Sequence, residues 1–481
     1  MSASKEATPL VVDLDGTLVA TDTLWESVIL AVRNRPLESP ALALKVFSGK
    51  AGFKAALAER VLPDPPTLPY REPVLAYLRD AKSEGRPIYL VTAADQRIAD
   101  GVSEHLGLFD EVYGTREGHN LRSENKAAFL VERFGEGGFE YLGDSSADLA
   151  VWPKAGKSVL VSPSKGVESA ARKLVPDAEV LAPRSTSAAR AMLKAMRPHQ
   201  WAKNVLLFVP VILSHQYTNI PLMLSVLLAM FCFSLCASSV YVVNDLLDLE
   251  QDRMHRTKRK RPFAAGTLSI PAGLALGLGC LVVGVGLAVA FLPMSFVAVL
   301  LGYVAITSVY SVYLKRKLIV DVVTLASLFT YRVIAGGVAA NVMVSFWLLS
   351  FSMFFFTGLA FAKRYSELRV LKSASKSSAA GRGYWVQDLE IIASTGPGCG
   401  LMAVLVFALY INSAEVLAIY REPRFLWLLC PLLLYWSTRV WFLAAREQLD
   451  DDPVVFALKD RISYLAGIVA VVLVLSARIG I

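Results

Sequence analysis

Asn244, Asp245, Asp248 and Asp252 follow one another as N-D-x-x-D-x-x-x-D at the end of an apolar run. If a helix continues through them, offsets of three and four residues put the three carboxylates on one face, with Asn244 stacked on Asp248. Like charges crowded in this way repel unless a cation neutralises them, and oxygen-only ligands suit Mg2+ bridging to a phosphorylated substrate. The segment that follows, Arg253 to Arg261, carries six basic residues and leads into Pro262-Phe263-Ala264-Ala265-Gly266. Metal-binding acids beside a basic loop imply the handling of a diphosphate.

A second set of chemically capable residues lies near the N-terminus. Pro9 to Val12 reads as a short apolar strand leading into Asp13 and Asp15, with Gly16-Thr17 permitting a sharp turn after them. Ile88 to Ala93 is another apolar run and holds Thr92; Lys126 opens a helical stretch; Tyr141-Leu142-Gly143-Asp144 is a third strand ending in acid, with Asp148 just beyond. Three strand ends that bring Asp, Thr and Asp to one edge are what a site on a parallel α/β sheet requires.

The elements that must position these residues divide the chain in two. Of its 481 residues 54% are hydrophobic and 19% charged, too apolar for an ordinary soluble enzyme. Residues 1–182 read as a soluble α/β domain, 183–203 as a linker or an amphipathic helix on a membrane surface, and 204–481 as a polytopic helical domain. No cleavable signal peptide is expected, because Met1 to Pro9 is short and polar. Nine spans are predicted, near 204–218, 221–243, 271–292, 294–313, 319–338, 344–362, 395–413, 424–444 and 462–480.

Charge in the connections sets orientation. Arg253 to Arg261, Lys315 to Lys317 and the Lys363 to Arg382 stretch with Lys376 are basic, and the last connection holds Arg446, Lys459 and Arg461, whereas the connections around 219, 293 and 342 carry no Lys or Arg. By the positive-inside rule the N-terminal domain and both acidic sites face the cytoplasm of a bacterial-type membrane, and nine spans leave the C-terminus outside. The net charge of +8 is thus a topological signature, and nucleic acid is excluded as a partner. All five cysteines fall in apolar segments and read as small hydrophobes. Arg332, about halfway along the fifth span, is expensive in lipid and should face a polar cavity, a bound anion or an acidic neighbour.

The acid motif and its position resemble the UbiA superfamily of intramembrane prenyltransferases, whose nine-helix bundles hold a Mg2+-dependent aspartate cavity. Met196 to Asn204, Thr257 to Gly266, Arg332 to Gly337, Lys363 to Leu368 and Ala457 to Arg461 look closer to its polyprenyl-phosphate phosphoribosyltransferase branch, which uses phosphoribosyl pyrophosphate. Where aromatic prenyltransferases of this fold carry a second acidic motif, this chain has Lys363, Arg364 and Glu367. The resemblance implies that Asp245, Asp248 and Asp252 hold one or more Mg2+ ions on the pyrophosphate. Lys203, Asn244, Arg259, Arg261, Arg332, Lys363, Arg364, Tyr365 and Glu367 would bind the donor and the polyprenyl phosphate acceptor.

The N-terminal residues, in that order and spacing, resemble the haloacid dehalogenase (HAD) superfamily of aspartate-nucleophile phosphatases. The resemblance makes Asp13 the nucleophile and Asp15 the acid/base, and gives the transferring phosphoryl to Thr92 and Lys126. One Mg2+ would be held by Asp13, Asp15 and Asp144 with Asp148 in support, under a helical cap formed by residues 20–80. The whole is then a Rossmann-like α/β HAD domain with a helical cap followed by an all-α nine-helix UbiA-type bundle. Its expected activity is bifunctional: phosphoribosyl transfer to a membrane lipid, and removal of the product's 5-phosphate. Homo-oligomers are compatible with this sequence. Prenylation of an aromatic or tetrapyrrole acceptor is the alternative reaction, and a transporter the alternative class.

Overall fold

The computed structural model describes residues 8–35, 38, 50–116, 121–183, 186–373, 383–449, 453–457 and 459–480. Lys376, Arg382 and Leu458, singled out above within larger segments, lie outside these residues. By its contacts the chain forms two compact units, Met1–Ala195 with Val242–Leu276, and Met196–Tyr241 with Gly277–Ile481.

The first unit is built on six parallel strands: β1 (Leu10–Val12), β2 (Ile88–Asp95), β3 (Glu111–Thr115), β4 (Glu140–Gly143), β5 (Lys157–Val161) and β6 (Glu179–Leu181). They lie in the order β3-β2-β1-β4-β5-β6. A parallel sheet is covered on both faces, so its central strands are apolar throughout. Leu10, Val11 and Val12 are accordingly all fully buried. Their side chains alternate: Leu10 and Val12 join Val74, Leu78, Ile88 and Leu90 on one face, and Val11 joins Val91, Leu130 and Leu160 on the other.

Val12 pairs with Leu90 of β2 and with Leu142 of β4. That register brings the C-terminal ends of β1 and β4 nearly level, while β2 runs on past Leu90 to Asp95. Connections from β1 and β4 leave to opposite sides of the sheet, which opens a crevice where ligands bind in such folds. The residues inserted between β1 and β2 carry helices Thr23–Asn34 and Lys50–Ala58. The first starts at Asp22, whose carboxylate accepts the Leu24 N–H at 2.9 Å.

Helix Ala188–Met196 lies in the stretch expected as linker or surface helix. Its Ala191 and Ala195 are buried with Ile29, Val242, Leu246, Leu249, Phe263 and Leu268 in one apolar cluster of the first unit. The end of the second expected span and the stretch before the third therefore share a core with the first helix of the N-terminal domain.

Among the described residues, eight helices are long and apolar enough to cross a membrane: Ile220–Leu247, Ile270–Phe291, Met294–Arg316, Val320–Ala340, Phe346–Ser373, Val386–Ile411, Pro423–Ala445 and Arg461–Ile479. Large apolar side chains stand exposed along them, Ile462, Leu465, Ile468, Val471 and Leu475 on the last one alone. Surface of that kind belongs in lipid, and the chain is an integral membrane protein. Residues 204–218, expected as the first of nine spans, instead hold a 3-10 helix, Pro198–Phe208, and a short α-helix, Val209–Leu213. Pro198 and Pro210 each lack a backbone N–H, and Lys203 and Asn204 are polar side chains that this turn buries within the protein.

A second difference concerns the acid motif. The helix does not continue through it: Ile220–Leu247 stops, Asp248 is the N-cap at φ −96° and ψ 13°, and a new helix covers Leu249–Met254.

Candidate active sites

At the sheet edge of the first unit, Asp13 leaves β1 with its Oδ1 accepting the Leu14 N–H at 2.8 Å and facing Lys126 Nζ at 3.0 Å. Lys126, on helix Glu124–Phe134, also donates to the Tyr141 hydroxyl at 3.1 Å. That hydroxyl donates in turn to Asp148 Oδ1 at 2.6 Å. Asp148 Oδ2 accepts the N–H groups of Asp144 and Ser145 at 3.1 and 3.0 Å, which folds the turn after β4 and fixes Asp144 over the crevice. Gly16 is forced by this closeness: its φ is +77°, and a Cβ there would stand 2.2 Å from Asp144 Oδ2.

Among the described residues, one group of acids brings a ligand oxygen from each member within 4.8 Å of the others: Asp13, Asp144 and Asp148. Asp15 lies outside that group, and its Oδ1 accepts the Thr23 N–H at 2.8 Å. Thr92 on β2 is fully buried, and its hydroxyl accepts the Ala94 N–H at 3.0 Å.

Electrostatics agree with a cation at this edge. Burial and then the neighbouring Asp148 and Asp13 push the Asp144 carboxyl up to about 8, although Arg71 opposes them. Burial likewise raises Asp13 despite Lys126, and burial with Asp22 brings Asp15 up to about 7. Burial alone would lower the Lys126 ammonium, but Asp13 and Asp148 more than offset it. Asp13 and Asp144, two of the three clustered acids, resist ionising beside one another, and oxygen ligands of that kind suit a divalent hard cation.

The second acid set also lies in the first unit. A single guanidinium nitrogen, Arg261 Nη1, sits 3.1 Å from Asp245 and 2.5 Å from Asp252. Both acids are nearly inaccessible to solvent, so the protein itself shows that one positive centre bridges them. Burial raises the Asp252 carboxyl, with Arg261 opposing. Asn244 and Asp248 are half-buried and Arg259 is exposed. Arg253 is turned instead to Glu26, 2.5 Å away.

In the second unit Arg332 lies inside span Val320–Ala340, 5% exposed. Its Nε donates to Asn204 Oδ1 at 2.9 Å, Nη2 to the Tyr303 hydroxyl at 2.9 Å and Nη1 to the Leu328 carbonyl at 2.6 Å. Phe233, Tyr303 and Phe329 stack around it. Among the described residues no carboxylate pairs with it. Lys203 is buried beside the same Phe329 ring, at 5.5 Å. Gly336 allows the approach of the Asn204 segment, since a Cβ there would meet the Leu207 carbonyl at 2.0 Å.

Arg364, expected at substrate, is 2% exposed and committed to Asp321 at 2.6 Å and to Glu367. Asp321 also accepts from the Tyr310 hydroxyl at 2.7 Å. Lys363 and Tyr365 on the same helix are half-buried, the latter against Trp441.

Three residues not singled out from the sequence belong to these sites. Tyr141 reads as an ordinary strand aromatic, and only the cross-strand geometry joins it to Lys126 and Asp148. Arg71 donates to the Gly16 carbonyl at 3.0 Å from the start of the helix before β2. Tyr303 meets Arg332 from the preceding span.

Residues 205–459 match the UbiA prenyltransferase family, and residues 10–151 match the haloacid dehalogenase-like hydrolases. An uncharacterized protein of Sinorhizobium fredii, y4nM, is 39% identical over 460 residues, 95% of this chain and 89% of that protein. Nodulation protein NoeC of Azorhizobium caulinodans is 34% identical over 268 residues, 56% of this chain and 86% of that protein. Decaprenyl-phosphate phosphoribosyltransferase of Mycolicibacterium smegmatis is 36% identical over 186 residues, 37% of this chain and 57% of that enzyme, so the chain matches little more than half its length.

Proposed function

Because the chain belongs to the UbiA prenyltransferase family and carries an N-terminal haloacid dehalogenase-like hydrolase domain, we propose that it is a bifunctional membrane enzyme. Its helical part moves 5-phosphoribose from phosphoribosyl pyrophosphate to polyprenyl phosphate, and its N-terminal domain hydrolyses the 5-phosphate of that product. The observation that carries the first half is Arg332, a buried intramembrane guanidinium whose partners among the described residues are all neutral. Such a charge is costly without an anion, and a substrate phosphate is the anion this reaction provides. Likeness to decaprenyl-phosphate phosphoribosyltransferases supports the choice of donor and acceptor.

In the transfer, an oxygen of the lipid phosphate attacks the anomeric carbon, the bond from that carbon to the pyrophosphate oxygen breaks, and pyrophosphate leaves. The nucleophile is already anionic at neutral pH, so positioning supplies most of the rate. Arg332 and Lys203 are assigned to phosphate groups; Asn244, Arg259, Arg261, Lys363 and Tyr365 complete the assigned substrate contacts. Asp245, Asp248 and Asp252 are assigned to Mg2+, as are Asp13 and Asp144 in the other site. When bound, the ion supplies the positive charge that offsets phosphoryl oxygens in both reactions.

In the hydrolysis, an Asp13 carboxylate oxygen attacks phosphorus while the ester oxygen leaves with a proton from Asp15. Water then attacks the aspartyl phosphate, returns a proton to Asp15 and releases inorganic phosphate. Lys126, fixed by Tyr141, holds Asp13 and the transferring group; Thr92 lines the same edge. The basic connections support a cytoplasmic side for both reactions.

The test uses full-length protein with Mg2+, phosphoribosyl pyrophosphate and decaprenyl phosphate, and mass spectrometry of the lipids. Wild type should yield lipid-linked ribose and one inorganic phosphate, Asp13→Asn lipid-linked ribose 5-phosphate, and Asp248→Ala neither. A 5-phosphorylated product from wild type and Asp13→Asn alike rules out the second step. Consumption of a prenyl diphosphate in place of phosphoribosyl pyrophosphate rules out the first.

A further inference from the structure

The Asp13 site opens into a cavity of about 1640 Å³ that lies wholly within the first unit. Ligand pockets ordinarily measure about 300–1,000 Å³, so this one exceeds what a sugar phosphate needs. Asp13, Asp15, Lys126 and Asp144 line it together with two apolar groups. Leu24, Val28 and Phe53 come from the helices inserted after β1, where they pack on Leu30 and Leu57. Trp25, Met192, Leu268 and Ala272 belong to the cluster centred on Leu246 and Phe263.

That second group is unexpected for a phosphatase built on residues 10–151. Leu268 and Ala272 come from a different stretch of chain, and Ala272 stands in the first turn of the span Ile270–Phe291. One wall of the phosphatase cavity is thus the entry of a membrane helix. A soluble phosphomonoester has no use for such a wall; an apolar tail does, since each buried methylene tightens binding by about fourfold.

We infer that the phosphatase site takes its phosphomonoester as the head group of a membrane amphiphile, whose apolar remainder lies along Val28, Trp25, Met192, Leu268 and Ala272. The reaction consumes water and releases an alcohol and inorganic phosphate, so the dephosphorylated lipid stays in the membrane. The inference rests on reading the first domain as a phosphatase and is independent of which sugar carries the phosphate.

Full-length protein in detergent is given ribose 5-phosphate and then butyl, octyl and dodecyl monophosphate below their aggregation concentrations, and phosphate release is followed. In wild type kcat/KM should rise at least tenfold from butyl to octyl, mainly through KM, and exceed that for ribose 5-phosphate. Val28→Asp and Ala272→Trp should each flatten that rise, and Asp13→Asn should abolish release from every compound. Robust hydrolysis with no dependence on chain length in wild type overturns the inference while leaving the phosphatase reading intact. So does an equal loss at every chain length in both variants. Release from none of the compounds sinks the phosphatase reading and the inference with it.

Discussion

Arg253 Nη2 and Glu26 Oε1 meet 2.5 Å apart with both side chains buried, joining the short helix that carries Asp252, the last acid of the N-D-x-x-D-x-x-x-D motif, to the first helix after β1. Arg33 and Glu250 form a parallel pair at 2.9 Å between the same two helices. The first basic residue after the acid motif therefore holds protein to protein.

Removing one partner of a buried pair leaves a charge without compensation and costs about 3–5 kcal/mol, whereas replacing both with apolar residues of similar size is close to neutral. Glu26→Leu should lower the thermal midpoint of the full-length protein sharply, and Glu26→Leu with Arg253→Met should restore most of it. Additive losses in the double variant would show that the pair contributes nothing as a pair.

Gly16→Ala should slow phosphate release about 100-fold while sparing the transferase. The added methyl would need a backbone at φ +77° and space that Asp144 Oδ2 occupies. Displacing Asp144 by even 1 Å should cost about 100-fold in rate. Mass spectrometry should find the lipid product still phosphorylated, with transfer at wild-type rate; loss of both activities together would instead indicate collapse of the sheet.

Arg332→Lys tests whether the intramembrane charge or its fork matters. Lysine keeps the charge but has no planar fork to reach Asn204, Tyr303 and an anion at once. Transfer should fall on the order of 100-fold, in line with losing one preorganised electrostatic contact, with phosphatase activity on added substrate unaltered. A Lys variant as active as wild type would assign Arg332 to packing alone.

Glu140 links the sheet to pH. Burial would raise its carboxyl, but hydrogen bonds from Tyr77 and Arg86 and the nearby Lys157 hold it below its ordinary value of 4.5. A depressed folded value contributes stability that is present above the unfolded value and lost as pH falls through the folded one. Glu140→Gln should therefore unfold more readily than wild type at pH 7, and the gap between the two should close below pH 4.5. Hydrogen exchange of β1 and β4 across that range measures it; a gap independent of pH would remove the carboxylate from the account.

Much of the sheet edge of the hydrolase-like domain was legible because a parallel sheet converts chain order into position: residues just after apolar runs must gather at one rim. Asp13 and Asp144 obey that rule, and Thr92 stands within β2 two residues beyond Leu90, the residue paired with Val12. Tyr141 escaped because nothing local marks a buried strand tyrosine as the link between Lys126 and Asp148.

The membrane half was readable as far as composition decides. Of the nine spans expected from apolar length, eight coincide with long apolar helices and the one at 204–218 does not, and Arg332 announced itself by its cost in lipid. Composition did not reveal that residues 198–208 wind as a 3-10 helix, because prolines and a buried Asn204 act through local geometry. Nor could spacing show that the helix breaks at Asp248, or that Arg364 is held by Asp321, 43 residues earlier. That partner is set by how two spans pack, which no periodicity encodes.

The apolar cluster that Ile29 shares with Val242, Leu246 and Phe263 also imposes an order of events during synthesis. All six strands leave the ribosome well before residues 242–276 exist, and those residues arrive only once the chain has reached its first long apolar helix. The hydrolase half thus waits, with Ile29 and Trp25 uncovered, for a segment delivered alongside membrane insertion. Cutting the gene at the apparent domain boundary would make that waiting state permanent, yielding a sticky, incomplete fragment in place of a free-standing enzyme.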